Sequence, residues 1–277
     1  MPLADFAEPV VGPATSGRTR WLHPGYNCYN RPMTPDPRIA DLIEAGEIRL
    51  GLFLPQYAKE AAGGECRGIG IGFVAIAMMR ALAERLGIAM RVVEFPTPPT
   101  TVEGIKAGAC DLTFMGIEPS RTAVLDFSPP VVQFDYTFMV PGGSPLQHAA
   151  ACDRPGLRIA VVRGHASTLE LTRIAKHAEL IGFDLPDDAF DLLRSGKADA
   201  FAAPREVLLD YAAKLPDSRV LADAYGVNNV GIAVAKGHAG RLAFISAFAE
   251  DAKASGLVGE IIARGGLRGF RVAPRSA

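Results

Sequence analysis

Glu118-Pro119-Ser120-Arg121 gathers a carboxylate, a helix-starting proline, a hydroxyl and a guanidinium into four consecutive residues. A guanidinium presents a planar fork of donors that can grip a carboxylate through two hydrogen bonds, which makes Arg121 the leading candidate for holding an acidic small molecule. Glu118 can offer a carboxylate to a cation, or it can simply pair with Arg121 at the start of a helix. Gln56 and Tyr57 follow a first apolar stretch, where the tyrosine ring offers a face for stacking or lies on the surface. Ser167 and Thr168, with His165 just before them, follow Gly164 where a helix is predicted to start. Free backbone N–H groups and hydroxyls there suit an anion, and they also suit ordinary capping.

These residues recognise; they form no acid, base and nucleophile constellation. Gly164-His165-Ala166-Ser167-Thr168 is not a nucleophile elbow, and the five histidines show no HExxH spacing. Gly68-Ile69-Gly70-Ile71-Gly72 lacks the third glycine of a dinucleotide-binding turn. Cys28, Cys66, Cys110 and Cys152 lie far apart with no CxxC pair, so neither a metal nor another cofactor is expected. Two disulfides could form in an oxidising compartment; the other reading makes Cys110 and Cys152 reduced packing residues.

The elements that position this chemistry are legible from Gly104 to Val140. Asp111-Leu112-Thr113-Phe114-Met115 is mostly apolar and bounded by Gly108 and Gly116, which predicts a buried strand of a parallel sheet. Pro119 can open the helix that follows. Ligands of open α/β sheets bind outside the carboxyl ends of the strands, so Met115, Gly116, Glu118 and Arg121 should border a crevice. Ile71, Val74, Ala75, Met78, Leu82 and Leu86 recur at helical spacing, and Arg91 to Phe95 reads as a second strand. In the second half, segments 157–162, 178–181, 198–202 and 219–221 read as strands separated by helices, a second α/β unit, and after Asn228-Asn229 a strand over 230–235 and a helix carrying Leu242, Ile245, Phe248 and Ala252 lead the chain back. Asp36-Pro37 predicts the start of a short helix carrying Ile39, Leu42 and Ile43 and ending at Gly46.

Taken together, Ile117-Glu118-Pro119-Ser120-Arg121 and Phe127-Ser128-Pro129-Pro130-Val131 resemble the "I-T-P-E-R" and "F-S-x-P-Y" motifs of ABC-transporter solute-binding proteins of the polar-amino-acid type. Ile48 to Leu52 is similar to that family's first strand, Ala81 to Gly87 to the end of its first helix, and Leu157 to Gly164 to the strand opening its second lobe. Ser195-Gly196-Lys197-Ala198-Asp199-Ala200 is similar to its "G-x-x-D-A" strand entry. The resemblance runs in the family's order from about residue 45 to 270. It implies a type II periplasmic-binding fold: two Rossmann-like α/β lobes joined by a double-crossover hinge. Residues 1–46 would form an N-terminal arm and short helix, 47–140 with 230–277 the first lobe, and 141–229 the second. Crossings near Val140-Pro141 and Val227 to Val230 would bring Tyr136 and Asn229 close to the site.

Composition agrees. The 277 residues are 49% apolar and 21% charged, enough for a sizeable core. A net charge of -1 and no basic stripe argue against a nucleic-acid partner. The longest apolar run, Phe73 to Met79, is far short of a membrane span. Residues 1–17 carry Asp5, Glu8, Pro9 and Pro13 and do not read as a signal peptide. The resemblance implies the periplasm; the missing signal leaves the cytoplasm as the alternative.

The expected function is therefore capture of a small polar solute, carboxylate-bearing, by a monomer that hands it to the membrane permease of an ABC transporter. Two alternatives stand beside it: a cyclohexadienyl or arogenate dehydratase on the same fold, and a ligand-sensing module. In the resembled family the motif arginine holds an α-carboxylate and an aspartate after the G-x-x-D-A strand takes the ammonium. Arg121 matches the first. Pro204 stands at the aspartate position and Arg205 follows it, so free α-amino acids are expected to bind poorly unless Glu118 supplies the counter-charge.

Overall fold

The structure is a computed structural model that describes residues 36–54, 56–59 and 66–276. Cys28 and the expected N-terminal arm lie outside the described residues. Asp36 caps a single 3-10 turn by accepting from the Arg38 N–H at 2.9 Å, and helix α1 (Ala40–Ala45) follows, ending at Gly46. Ile39 and Leu42 are buried from these turns, as their spacing predicts.

The first half continues with β1 (Glu47–Phe53), a short hairpin of β2 (Tyr57–Lys59) and β3 (Cys66–Gly68), α2 (Ile71–Leu86), β4 (Ala89–Phe95) and α3 (Pro98–Lys106). Then come β5 (Leu112–Gly116), the one-turn helix α4 (Pro119–Thr122), β6 (Leu125–Phe127) and the long β7 (Val132–Pro141). The second half contributes β8 (Arg158–Val162), α5 (Ala166–Ile174), β9 (Glu179–Phe183), α6 (Pro186–Arg194), β10 (Ala200–Pro204), α7 (Arg205–Ala212) and β11 (Ser218–Val220). A second long strand, β12 (Gly226–Ala235), leads back to α8 (Ala239–Ala254), α9 (Leu257–Arg264) and β13 (Phe270–Val272).

The main sheet runs in the order β4-β1-β5-β12-β7-β10-β8-β9. Pairing is parallel where helices connect neighbours, at β1 with β4 and β5 and at β8 with β9 and β10. It is antiparallel around β7 and β12. Those two strands join the halves. β7 pairs with β12 from Val132 to Tyr136 and with β10 from Tyr136 to Met139, so Tyr136 faces Gly226 on one side and Pro204 on the other.

Each half buries its own apolar faces. Leu50, Leu52, Val74, Met78, Leu82, Leu112, Phe114, Ile232, Ile245 and Val258 form the core of the first. In the second, Phe138, Ile159, Val161, Leu171 and Ala202 pack on one face of the sheet and Met139, Val162, Phe190, Phe201 and Leu208 on the other. β5 is buried along its whole length, as the run bounded by Gly108 and Gly116 predicts. Cys110 and Cys152 are buried free thiols, and burial pushes their pKa values up to about 12, which makes them packing residues. No helix among the described residues is long and apolar enough to cross a membrane.

A candidate ligand-binding cleft

β5 ends at Gly116 and Pro119 opens α4, so Ile117 and Glu118 lie between the strand's carboxyl end and the helix. Across from them, β8 ends at Val162, Gly164 turns the chain, and α5 starts after His165. Between these two strand ends lies a cavity of about 220 Å³. Its first wall is Ile117, Glu118 and Pro119, its second is the face of α5 formed by Ala166, Leu169, Glu170 and Arg173, and Tyr136 with Val227 to Asn229 closes it. A larger hollow of about 460 Å³ lies along the edge strand β4 against α2, lined by Arg80, Glu84, Arg91 and Glu94 among others. It touches one half only and lies away from the strand ends, so the smaller cavity is the candidate site.

Arg121 sits just behind the first wall. Its Nη1 donates to the Gly116 carbonyl at 3.0 Å and stands 3.9 Å from Glu118 Oε1, leaving Nε and Nη2 without a partner among the described residues. Gly116 is small for a reason: a Cβ there would come within 2.7 Å of Asn228 Oδ1 and 3.4 Å of Arg121 Nη1. Gly226, just before the lining segment 227–229, plays the same part: a Cβ there would meet Glu170 Cγ at 3.1 Å and Tyr136 Cδ2 at 3.3 Å. Glu170 Oε2 is 2.8 Å from Arg173 Nη2 on the same helix.

Carboxylates dominate the field inside. The Tyr136 phenol is pushed well above its ordinary pKa by burial and then by Glu118, Glu206 and Glu170, with Arg121 opposing. It therefore stays a neutral hydroxyl. Tyr225 is also pushed up by burial, and its hydroxyl donates to the Ser167 carbonyl at 3.2 Å, tying α5 to the turn before β12. At the start of α7, Glu206 Oε2 is buried with no hydrogen-bond partner among the described residues, and burial pushes its pKa up to about 7.

The sequence candidates divide into two groups. Glu118 and Tyr136 line the cavity with Asn229, and Gly116 and Arg121 adjoin it. Asn229 is held in place, its Oδ1 accepting from Gln133 Nε2 at 2.6 Å and its carbonyl from the Ile117 N–H at 2.7 Å. The structure does not bring the others to the lining. Gln56 is buried and donates to the Phe114 carbonyl at 2.9 Å, which fixes β1 to β5; Tyr57 and Met115 are core residues. Ser167 is buried and Thr168 donates to the Val162 carbonyl at 2.7 Å, closing the first turn of α5. His165 precedes that turn, with desolvation depressing its pKa. Arg205 is drawn away by the Leu221 carbonyl at 2.8 Å, the Ala222 carbonyl at 2.9 Å and Asp135 at 3.3 Å. Sequence reasoning missed Leu169, Glu170, Arg173 and Asn228. Counting by threes and fours from Ala166 along the predicted helix gives the first three.

Comparison with known proteins agrees with this geometry. The family described as bacterial extracellular solute-binding proteins, family 3, matches residues 56–264. The ABC transporter glutamine-binding protein GlnH of Bacillus subtilis (strain 168) is 25% identical over 167 residues, 60% of this chain, and the match spans 61% of that relative's length. Three solved structures share the fold. The solute receptor for L-cysteine of Neisseria gonorrhoeae has a TM-score of 0.62 at 23% identity, covering 83% of this chain and 94% of that one. A lysine complex of a binding component of an ABC transporter from Wolinella succinogenes has a TM-score of 0.64 at 24% identity, covering 79% and 95%. An ancestral amino acid-binding protein, described as a precursor of cyclohexadienyl dehydratase, has a TM-score of 0.62 at 23% identity, covering 82% and 97%. The architecture is thus the two-lobed periplasmic-binding fold of type II.

Proposed function

Because the chain belongs to the bacterial extracellular solute-binding proteins, family 3, we propose that it captures a small, polar, carboxylate-bearing solute between its lobes and delivers it to the permease of an ABC transporter. The observation that carries this reading is the cavity walled by Ile117 to Pro119 on one side and by α5 on the other. A solute held there touches both lobes, so its binding free energy favours the closed arrangement over the open one. The spare donors of Arg121 supply the carboxylate grip. Lobe 1 is taken as 47–140 with 230–277 and lobe 2 as 141–229, the pairing change at Tyr136 marking the pivot in β7. The protein works outside the cytoplasmic membrane as a monomer, and it binds without turnover.

A thermal-shift series over amino acids, dicarboxylates and aromatic acids tests the reading. A solute at a hundred times its Kd stabilises the fold by about 2.7 kcal/mol. Arg121→Lys removes the bidentate fork and should weaken the best solute by about 1.5 to 3 kcal/mol in calorimetry, with the unliganded Tm unchanged. No shift with any class, or unchanged affinity in the lysine variant, refutes solute capture or the arginine's role respectively. Incubation with prephenate or arogenate should give no product above background; turnover would replace capture with a dehydratase.

A further inference from the structure

The charges of the cavity reveal more than its walls do. Two acids line it, Glu118 from lobe 1 and Glu170 from lobe 2, and the single cation on the lining among the described residues, Arg173, is an exposed neighbour of Glu170 on the same helix. At the end of β10 the chain offers Pro204, with Arg205 committed to the carbonyls of Leu221 and Ala222, and Glu206 of α7 acts on Tyr136 from outside the lining. We infer that Glu170 is the counter-charge for a cationic group of the solute, a specificity-determining role carried by α5 instead of the strand end. The inference rests on the solute-capture reading above.

Three features of the structure fit this role. Gly226 lies where any larger residue would meet Glu170 Cγ at 3.1 Å, so the missing side chain leaves room for the glutamate at the cavity wall. Glu118, Tyr136 and Glu170 line the same cavity, so the two acids flank one volume contributed by both lobes, and both, with Glu206, raise the Tyr136 phenol. The Arg173 partner is two-thirds exposed, and an exposed ion pair three residues apart on a helix is a weak competitor that an ammonium in the cavity can displace. A solute with one cationic group and one carboxylate then places the cation between Glu170 and Glu118 and the carboxylate toward Arg121. An acid of the same shape without the cation leaves two carboxylates facing each other, which electrostatics disfavours.

The test is calorimetry on the full chain with L-glutamine, L-lysine and L-cysteine, and with glutaramic acid, which is L-glutamine without its ammonium. Wild type should bind at least one of the amino acids, and glutaramic acid at least tenfold more weakly than L-glutamine. Glu170→Gln should weaken the bound amino acids at least tenfold while changing glutaramic acid less than twofold, and Glu170→Asp should recover part of the loss. Gly226→Ala, which crowds Glu170 without altering charge, should produce a smaller loss in the same direction. If wild type binds amino acids and Glu170→Gln binds them equally well, or if glutaramic acid is preferred, the role of Glu170 is wrong and solute capture stands. If wild type binds none of the probes, amino-acid capture fails and the inference fails with it.

Discussion

In lobe 1, Gly108 turns the chain after α3, and three residues later Asp111 accepts from the Arg49 backbone N–H at 2.8 Å and from its Nη2 at 2.7 Å. In lobe 2, Gly196 turns the chain after α6, and three residues later Asp199 accepts from the Arg158 backbone N–H at 2.9 Å and from its Nη2 at 3.2 Å. Both glycines have φ of 71°, the left-handed conformation that lets a helix stop and turn, and the Gly108 carbonyl accepts from Arg49 as the Gly196 carbonyl does from Arg158. The two lobes thus close a helix onto a strand entry with one shared device. At the opposite ends of those strands they have nothing in common. β5 runs into Glu118 and the donors of Arg121 that have no partner among the described residues, whereas β10 runs into Pro204 and an arginine engaged by backbone carbonyls and Asp135. Strand entries solve a structural problem that both lobes share, and strand exits carry the chemistry, where the lobes must differ.

The shared device still differs in burial, and removing it should separate the lobes. Asp111 is 5% exposed and also meets Arg241, whose Nη1 donates to the Asp111 carbonyl at 3.3 Å and lies 3.6 Å from its carboxylate. Asp111→Ala should therefore cost about 3 kcal/mol in urea unfolding, since it leaves the Arg49 guanidinium without its buried carboxylate and removes one of the two carboxylates beside Arg241. The strand exit of lobe 2 gives the next largest effect. Glu206 has a folded pKa of about 7 against 4.5 for the free group. Between those values the folded state keeps a proton that the unfolded chain has lost, so stability falls as pH rises through that window and the penalty is complete above it. Glu206→Gln should thus stabilise by about 2 kcal/mol at pH 8 and by little at pH 4, read from Tm against pH. A flat difference between the two pH values would mean that the carboxyl is hydrated.

Asp199→Ala should show the smallest loss, about 1 kcal/mol, because its carboxylate is 34% exposed and water can replace the arginine. Equal losses at Asp111 and Asp199 would show that burial is not what distinguishes the two anchors.

What the sequence could disclose follows the same division. The buried run ending at Gly116, the proline opening α4 and the turn at Gly164 are local signals, and the structure places each element where its residues imply. Gln56 and Tyr57 follow β1 as expected, yet Gln56 turns inward to Phe114, a partner 58 residues away. Arg205 reads as a cleft cation until the carbonyls of 221 to 223 claim it, a contact that no local pattern encodes. Asn228-Asn229 looks like a break, but both lie within β12, where pairing with Phe134 and Gln133 of β7 overrides their weak strand preference. The β2 and β3 hairpin gave no signal strong enough to read. Glu170 was hidden by its position on the helix face, not by its type.

The seat of β12 between β5 and β7 also sets the order in which this molecule can be built. Strands β8, β9 and β10, with their helices, are complete by residue 204 and pair only with one another and with β7. β5 and β7 leave the ribosome earlier, yet they are not neighbours until residues 226–235 arrive to bridge them. Loop-closure entropy makes such long-range pairing slow. The half that carries Arg121 therefore cannot complete its sheet until β12, from the far end of the chain, is in place between β5 and β7.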